Sequence, residues 1–157
     1  MPQSPGTRRQ GQAGRAQDRG AEAGEGNARR SPRRRVWCVF DRDQHEHFTE
    51  ACNLAEGCGV QLAVSNPCFE LWVLLHFEYR NTAVHRHDVQ RILADKAYIP
   101  AYDKAMPGLF AALEDRMAAA TRHAEQLRAA HAAVAALPRS NPSSDVDLLL
   151  KSLGVVK

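Results

Sequence analysis

The sequence predicts an α/β fold for a single domain, and three observations support this. Residues 36–40 and 60–64 are short, continuous β-prone runs, as in parallel strands buried on both faces. Residues 47–57 between them carry apolar residues at helical spacing, so 36–64 has the size of a βαβ unit. The pattern after residue 66 is mainly helical. We therefore expect a small parallel sheet with about two strands, followed by a helical C-terminal half.

Four helices are predicted after the second strand. Pro67 suits a first helical position with Ser65 or Asn66 as its cap, which predicts a buried helix over 67–78. Further helices are predicted at 84–96, at 109–137, where alanine is abundant, and at 146–153. The 109–137 helix is expected to bury one apolar stripe: Leu109, Leu113, Met117, Leu127, Val134 and Leu137. Residues 98–104 are expected to form an irregular connector, and 141–145 a turn and cap.

The charges divide the 157-residue chain into a basic front and a mildly acidic body. Residues 1–35 contain nine arginines, three acidic residues and no Val, Leu, Ile, Phe, Tyr or Trp. Such a segment buries too little apolar surface to offset its chain entropy, so we expect a disordered arginine-rich leader and a folded domain over 36–157. The leader could contact phosphates or resemble a transit peptide, but a solvated segment is favoured.

Composition excludes several classes of protein. No apolar run reaches the roughly 18 residues of a membrane span, and the N-terminus lacks the apolar core of a signal peptide. The four cysteines form no CxxC pair, so a zinc knuckle is not expected. They are interpreted as small buried hydrophobic residues with reduced thiols, and the expected location is the cytoplasm.

Asp41 and Asp43 form the sharpest candidate site. They follow the first strand and, at positions i and i+2, point to the same side of it. Ligands bind α/β sheets at the carboxyl ends of the strands, and two close carboxylates are tolerated when a cation such as Mg²⁺ bridges them. The alternative is an ordinary acidic loop.

Three further residues are candidates. Glu70 lies on an otherwise apolar helix, where it either complements the helix dipole or is directed at a ligand. Lys104, near Tyr102 in the irregular connector, either holds a phosphate or is a surface lysine. His76 is interpreted as a core histidine, and 45–47 and 85–87 as loops.

Three stretches together resemble the RloB-like family of bacterial and archaeal proteins. They are VFDRD at 39–43, SNPCFELWVLLHF at 65–77 and NPSSDV at 141–146. The second string is long and specific, and Tyr102-x-Lys104 is similar to the family's tyrosine–lysine element. The resemblance covers residues 36 to about 153.

The resemblance implies a Toprim-like three-layer fold and a role in phage defence, in restriction–modification loci or abortive infection of the AbiL type. It implies that Asp41 and Asp43 hold Mg²⁺, that Glu70 assists in nuclease-like phosphodiester chemistry, and that Tyr102 and Lys104 contact substrate. The implied partners are nucleic acid and a protein of the same defence operon, such as an ATPase.

The sequence departs from the family pattern at its front. Family members begin with an apolar strand that ends in a turn containing a glutamate, whereas Glu22 and Glu25 lie in a flexible Ala/Gly-rich stretch. We therefore expect the first strand and its acid to be absent, which also fits a two-stranded sheet being incomplete. A non-catalytic component that binds a partner or nucleic acid, or an inactive truncated member, remains the alternative to an enzyme.

Overall fold

The computed structural model of the protein describes residues 35–42 and 45–157 and confirms the α/β class with a helix-rich C-terminal half. Residues 34–157 cluster as one unit. Its elements, in chain order, are β1 (Trp37–Asp41), α1 (Phe48–Gly57), β2 (Gln61–Asn66), α2 (Glu70–Leu75), α3 (Arg86–Asp95), α4 (Leu109–Leu113), a 3-10 helix (Glu114–Arg116), α5 (Met117–Ala133), β3 (Ser143–Ser144) and α6 (Val146–Ser152).

The sheet is mixed, in the order β1-β2-β3. The predicted pair β1 and β2 is parallel, with Trp37 opposite Gln61 and Asp41 opposite Ser65. β3 pairs antiparallel with the end of β2 and adds a third strand to the two parallel strands that were expected. The third strand lies in the stretch that was predicted as a turn and cap. The sequence did not indicate a strand there, because two residues are too few to show an alternating pattern.

β1 is an edge strand, and its exposure corrects the prediction that both its faces are buried. Val39 is 54% exposed, whereas β2 is buried from Leu62 to Asn66. Among the described residues no element pairs with the outer edge of β1 or covers Val39 fully. The predicted leader over 1–35 lies outside the described residues except for Arg35. The expected absence of a first strand also concerns residues outside the described part of the chain, and Asp43 is not among the described residues.

Helices pack against both faces of the sheet. Phe48 and Cys52 of α1 contact Leu62 and Val64, which therefore point to one face. Alternation along the strand directs Ala63 and Ser65 to the opposite face, where α2 packs. The larger core surrounds α2, which is buried around its whole circumference: Cys68, Leu71, Trp72, Val73, Leu74, Leu75, Val84, Val89, Leu93, Ile99, Leu113, Ala120, Ala124, Leu127 and Val146.

Two predicted helices are shorter than expected. The helix over 67–78 is limited to Glu70–Leu75, because Asn66 ends β2 and its side-chain amide donates to the Arg139 carbonyl (2.7 Å) instead of capping a helix. The helix over 109–137 is divided into α4, the 3-10 turn and α5. Val134 and Leu137 lie beyond its end and are 74% and 79% exposed, so they do not continue the apolar stripe.

The prediction that all four cysteines are buried is confirmed for two of them and wrong for the other two. Cys52 and Cys68 are buried, but Cys38 and Cys58 are exposed. In the part of the chain described, no helix is both long and apolar enough to cross a membrane.

A buried ion pair fixes the C-terminal elements to one another. The Arg128 guanidinium of α5 donates to both carboxylate oxygens of Asp147 on α6, at 2.7 and 2.6 Å. It also donates to the Ser144 carbonyl of β3 (2.9 Å). Asp147 is fully buried, so its charge depends on this pairing, with Lys151 as a longer second partner (3.4 Å). The pair therefore joins α5, β3 and α6.

Removal of the Asp147 carboxylate is expected to destabilise the fold strongly. Asp147→Ala leaves the largely buried Arg128 guanidinium with Asp145, 4.0 Å away, in place of its bidentate partner, and breaking such a buried pair costs about 3 kcal/mol or more in the free energy of unfolding. Urea denaturation measures the loss. The control is Leu153→Ala, at a side chain 65% exposed, with an expected change of less than about 0.5 kcal/mol. Equal stabilities of the two variants would contradict the assigned role of the pair.

His76 is a core histidine, as predicted, but only half of its ring is paired. Its Nδ1 bonds to the Trp72 carbonyl (2.9 Å), and its Nε2 is buried without a partner among the described residues. Burial lowers the pKa of His76 below its usual value of 6.5, against the effect of that bond. The folded state therefore favours the neutral imidazole.

Stability is expected to decrease as the pH falls through the titration of His76. Below about pH 6.5, His76 becomes protonated in the unfolded chain but stays neutral in the folded chain. This difference lowers the free energy of unfolding by at most about 1.4 kcal/mol per pH unit. His76→Phe should flatten this slope between about pH 6.5 and about pH 5.5. Urea titrations at several pH values measure it, and parallel slopes for variant and wild type would refute the assignment.

Candidate functional site

Asp41 ends β1 at the carboxyl end of the parallel pair. The strand pairing continues one residue further, since the Arg42 N–H donates to the Ser65 carbonyl (2.8 Å). Asp41 is half-buried, and its carboxylate accepts the backbone N–H of Phe69, immediately before α2. The connection from β2 to α2 therefore brings the start of α2 against the end of β1.

Glu70, the first residue of α2, is the most unusual side chain of the site because it is a fully buried carboxylate. Its Oε1 receives two donors, Lys104 Nζ at 2.9 Å and Gln90 Nε2 at 2.8 Å. Its Oε2 is buried and meets hydrogen-bond geometry with no group of the described residues, and the Cys68 thiol also lies against this carboxylate. One oxygen is thus doubly paired, and the other is available to a ligand.

The two carboxylates are close enough to influence each other's ionisation. Burial, and then the negative charge of Glu70, raises the pKa of Asp41, while Lys104 and Arg86 oppose the rise. Burial also acts to raise the pKa of Glu70, but hydrogen bonds from Lys104, Gln90 and Cys68 lower it below the usual value. The hydrogen bond to Glu70 raises the pKa of Lys104. Glu70 is therefore ionised at neutral pH, and its charge disfavours ionisation of Asp41.

Cys68 and Tyr102 border the same carboxylates. Burial and the neighbouring Glu70 raise the pKa of the Cys68 thiol to about 12, so it is not a nucleophile at neutral pH. Burial, followed by the charge of Glu70, raises the pKa of Tyr102, whose ring packs against the larger core. The Tyr102 side chain is therefore a neutral phenol.

The structure brings together four of the five residues singled out from the sequence: Asp41, Glu70, Tyr102 and Lys104. The fifth, Asp43, lies outside the described residues. The 45–47 stretch is exposed, with His47 Nδ1 3.0 Å from Glu50, and does not join the site.

Gln90 and Arg86 of α3 are site residues that the sequence did not indicate. Gln90 contacts Glu70 directly, and Arg86 lowers the pKa of both Asp41 and Lys104. Polar residues on a partly exposed helix are common, so neither residue had a distinguishing pattern. Only the apolar positions of α3, such as Val89 and Leu93, indicated which face of the helix turns inward.

The donor set fits a hard divalent cation. Two neighbouring carboxylates offer oxygen ligands, and the unpartnered Oε2 of Glu70 is a buried acceptor that a cation would satisfy. No group of three metal-binding side chains occurs within the described residues. The described part of the site therefore provides two carboxylate ligands, Asp41 and Glu70. Asp43, by its spacing from Asp41, is the candidate third ligand.

Comparison with known proteins places this chain in a family. The model of the RloB-like protein family matches residues 7–153, nearly the whole chain. The chain belongs to the RloB-like family. The match begins within the arginine-rich segment, well before residue 36, where the resemblance was expected to start. The curated proteins and the solved structures that were compared contain no match to this RloB-like chain.

Removal of the Asp41 charge is expected to stabilise the protein in the absence of divalent cations. The pKa of Asp41 is raised in the folded state, so the folded chain loses stability as the pH rises through it and the carboxylate ionises. Asp41→Asn should raise the free energy of unfolding at neutral pH by less than about 1 kcal/mol, because solvent screens a half-exposed group. Urea denaturation in EDTA tests this, and a loss of stability would contradict it. Asp88→Asn, at an exposed carboxylate on α3, is the matched control.

Proposed function

We propose that this RloB-like protein binds a divalent cation such as Mg²⁺ with Asp41, Asp43 and Glu70 and hydrolyses phosphodiesters in phage defence. The observation that carries the proposal is the buried Oε2 of Glu70, for which the described residues provide no hydrogen-bond donor, beside the second carboxylate. A structural ion pair with Lys104 alone would account for Oε1 but not for Oε2. A bound cation accounts for Oε2 and for the proximity of Asp41.

The surrounding residues suit a phosphate substrate. The cation, when bound, would supply Lewis acidity to a phosphoryl oxygen. Lys104 provides a positive charge on a side chain that is 56% exposed, so it can turn from Glu70 towards a phosphate. Tyr102 stays protonated at neutral pH, and its hydroxyl is then a hydrogen-bond donor near the carboxylates.

The family supports the biological part of the proposal. The link of RloB-like proteins to restriction–modification loci and abortive infection favours nucleic acid as the substrate and a protein of the same operon, such as an ATPase, as a partner. A Toprim-like use of the acids at a strand end would be consistent with Asp41 ending β1.

A second candidate function is that of a non-catalytic binding component. The edge strand β1 exposes Val39 (54%) and Cys38, and Val36 immediately before the strand is 56% exposed. An apolar sheet edge of this kind can accept a strand from a partner. In this alternative Lys104 is the permanent counterion of Glu70, and no cation is needed.

Divalent cations are expected to raise the melting temperature of the wild-type protein. At about 100 times Kd, a single bound cation stabilises the fold by about 2.7 kcal/mol. Differential scanning fluorimetry with MgCl₂ and MnCl₂ measures the rise, which Asp41→Ala, Asp43→Ala and Glu70→Gln should each abolish. Asp88→Asn should retain it. The same variants should lose cation-dependent cleavage of DNA or RNA while keeping the wild-type circular dichroism spectrum.

The two candidate functions give different results in this experiment. No thermal shift in the wild type, or an equal shift in Asp41→Ala, would refute the cation site. A shift without cleavage of single- or double-stranded DNA or RNA would refute hydrolysis and favour the binding component.

A further inference from the structure

We propose that Gln90 is a positioning residue, which holds the Glu70 carboxylate so that Oε2 faces the cation. This inference rests on the proposed cation site. Gln90 lies 20 positions from Glu70 in the chain and donates its Nε2 hydrogen to Oε1 at 2.8 Å. A carboxylate group is planar, so a hydrogen bond that holds Oε1 in place also restricts the position of Oε2.

The anchoring of α3 makes Gln90 suited to this task. The neighbouring Val89 and Leu93 are fully buried in the larger core, which fixes the helix against α2. The amide is uncharged, so it orients Glu70 without competing with a cation for the negative charge. Groups that orient a metal ligand in this way typically change metal affinity 10–100-fold when they are removed.

Lys104 contacts the same oxygen, but its effect on cation binding is expected to be the opposite. Its ammonium charge neutralises Glu70 and therefore competes with a divalent cation for the carboxylate. It also belongs to an irregular connector rather than to a helix, and its side chain is 56% exposed. When a phosphate draws Lys104 away, the hydrogen bond from Gln90 remains to orient Glu70.

The two donors are thus expected to differ in the sign of their effect on cation binding. Loss of Gln90 allows the Glu70 side chain to change rotamer and weakens binding. Loss of the Lys104 charge removes a competitor and strengthens binding. A purely structural role of Gln90 would change the stability of the protein without cation and leave the affinity for the cation unaltered.

The experiment is a MnCl₂ titration of the full chain, followed by the electron paramagnetic resonance signal of free Mn²⁺. We expect Gln90→Leu to raise the Kd for Mn²⁺ about tenfold, and Lys104→Met to lower it. Gln90→Met provides a second, more flexible variant in case the branched side chain impairs folding. Arg91→Leu is the matched control on the same helix, at a side chain 67% exposed, and should bind Mn²⁺ like the wild type.

Melting temperatures in EDTA, measured on the same samples, separate positioning from stability. If the wild type binds Mn²⁺ and both Gln90 variants stay within twofold of its Kd, the role of Gln90 is refuted and the cation site stands. A lower melting temperature in EDTA with an unchanged Kd refutes it equally. If the wild type does not bind Mn²⁺, or Asp41→Asn binds it equally well, the cation site itself is wrong.

Discussion

The burial of the Glu70 charge is the constraint on which the arrangement of the site depends. A carboxylate that is fully removed from water requires donors around it, and these come from two distant parts of the chain, Gln90 on α3 and Lys104 in the connector before α4. Packing of α2, α3 and the connector around one apolar core delivers both donors to the same oxygen. The charge of Glu70 also acts on Asp41, so that the fold maintains two acids in proximity at some loss of stability.

The sequence predicted those parts of the fold and site that have a strong local pattern. The unit from β1 to β2 follows from two β-prone runs and the helix between them, and Asp41 follows from its place after the first run. Glu70 could be identified because a charge within an apolar helix is rare. Lys104 was a candidate from its irregular connector, and the family resemblance implied a role for it and for Tyr102. The bounds of α1, α3 and α6 differ from the predicted ones by at most two residues.

The remaining features depend on contacts between distant residues, which leave little local signal. β3 has two residues and exists because the end of β2 offers it hydrogen bonds. Asp147 had the position of an ordinary acid in the first turn of a helix, but Arg128, 19 positions earlier, makes it a buried ion-pair partner. Alanine propensity predicted α5 too long, because a helix ends where its apolar stripe has nothing left to bury against.

The pairing of β2 with β3 also determines when the sheet is completed during folding. The Ser65 and Ser144 hydroxyls that meet at this pairing (3.2 Å) are separated by 79 positions, so the loop between them must close before the sheet is complete. Contacts of such long range form late, after local helices. A partly folded chain with its helices in place therefore still lacks the third strand of the sheet, whereas the β1–β2 pairing that brings Asp41 beside the start of α2 closes a shorter stretch of chain.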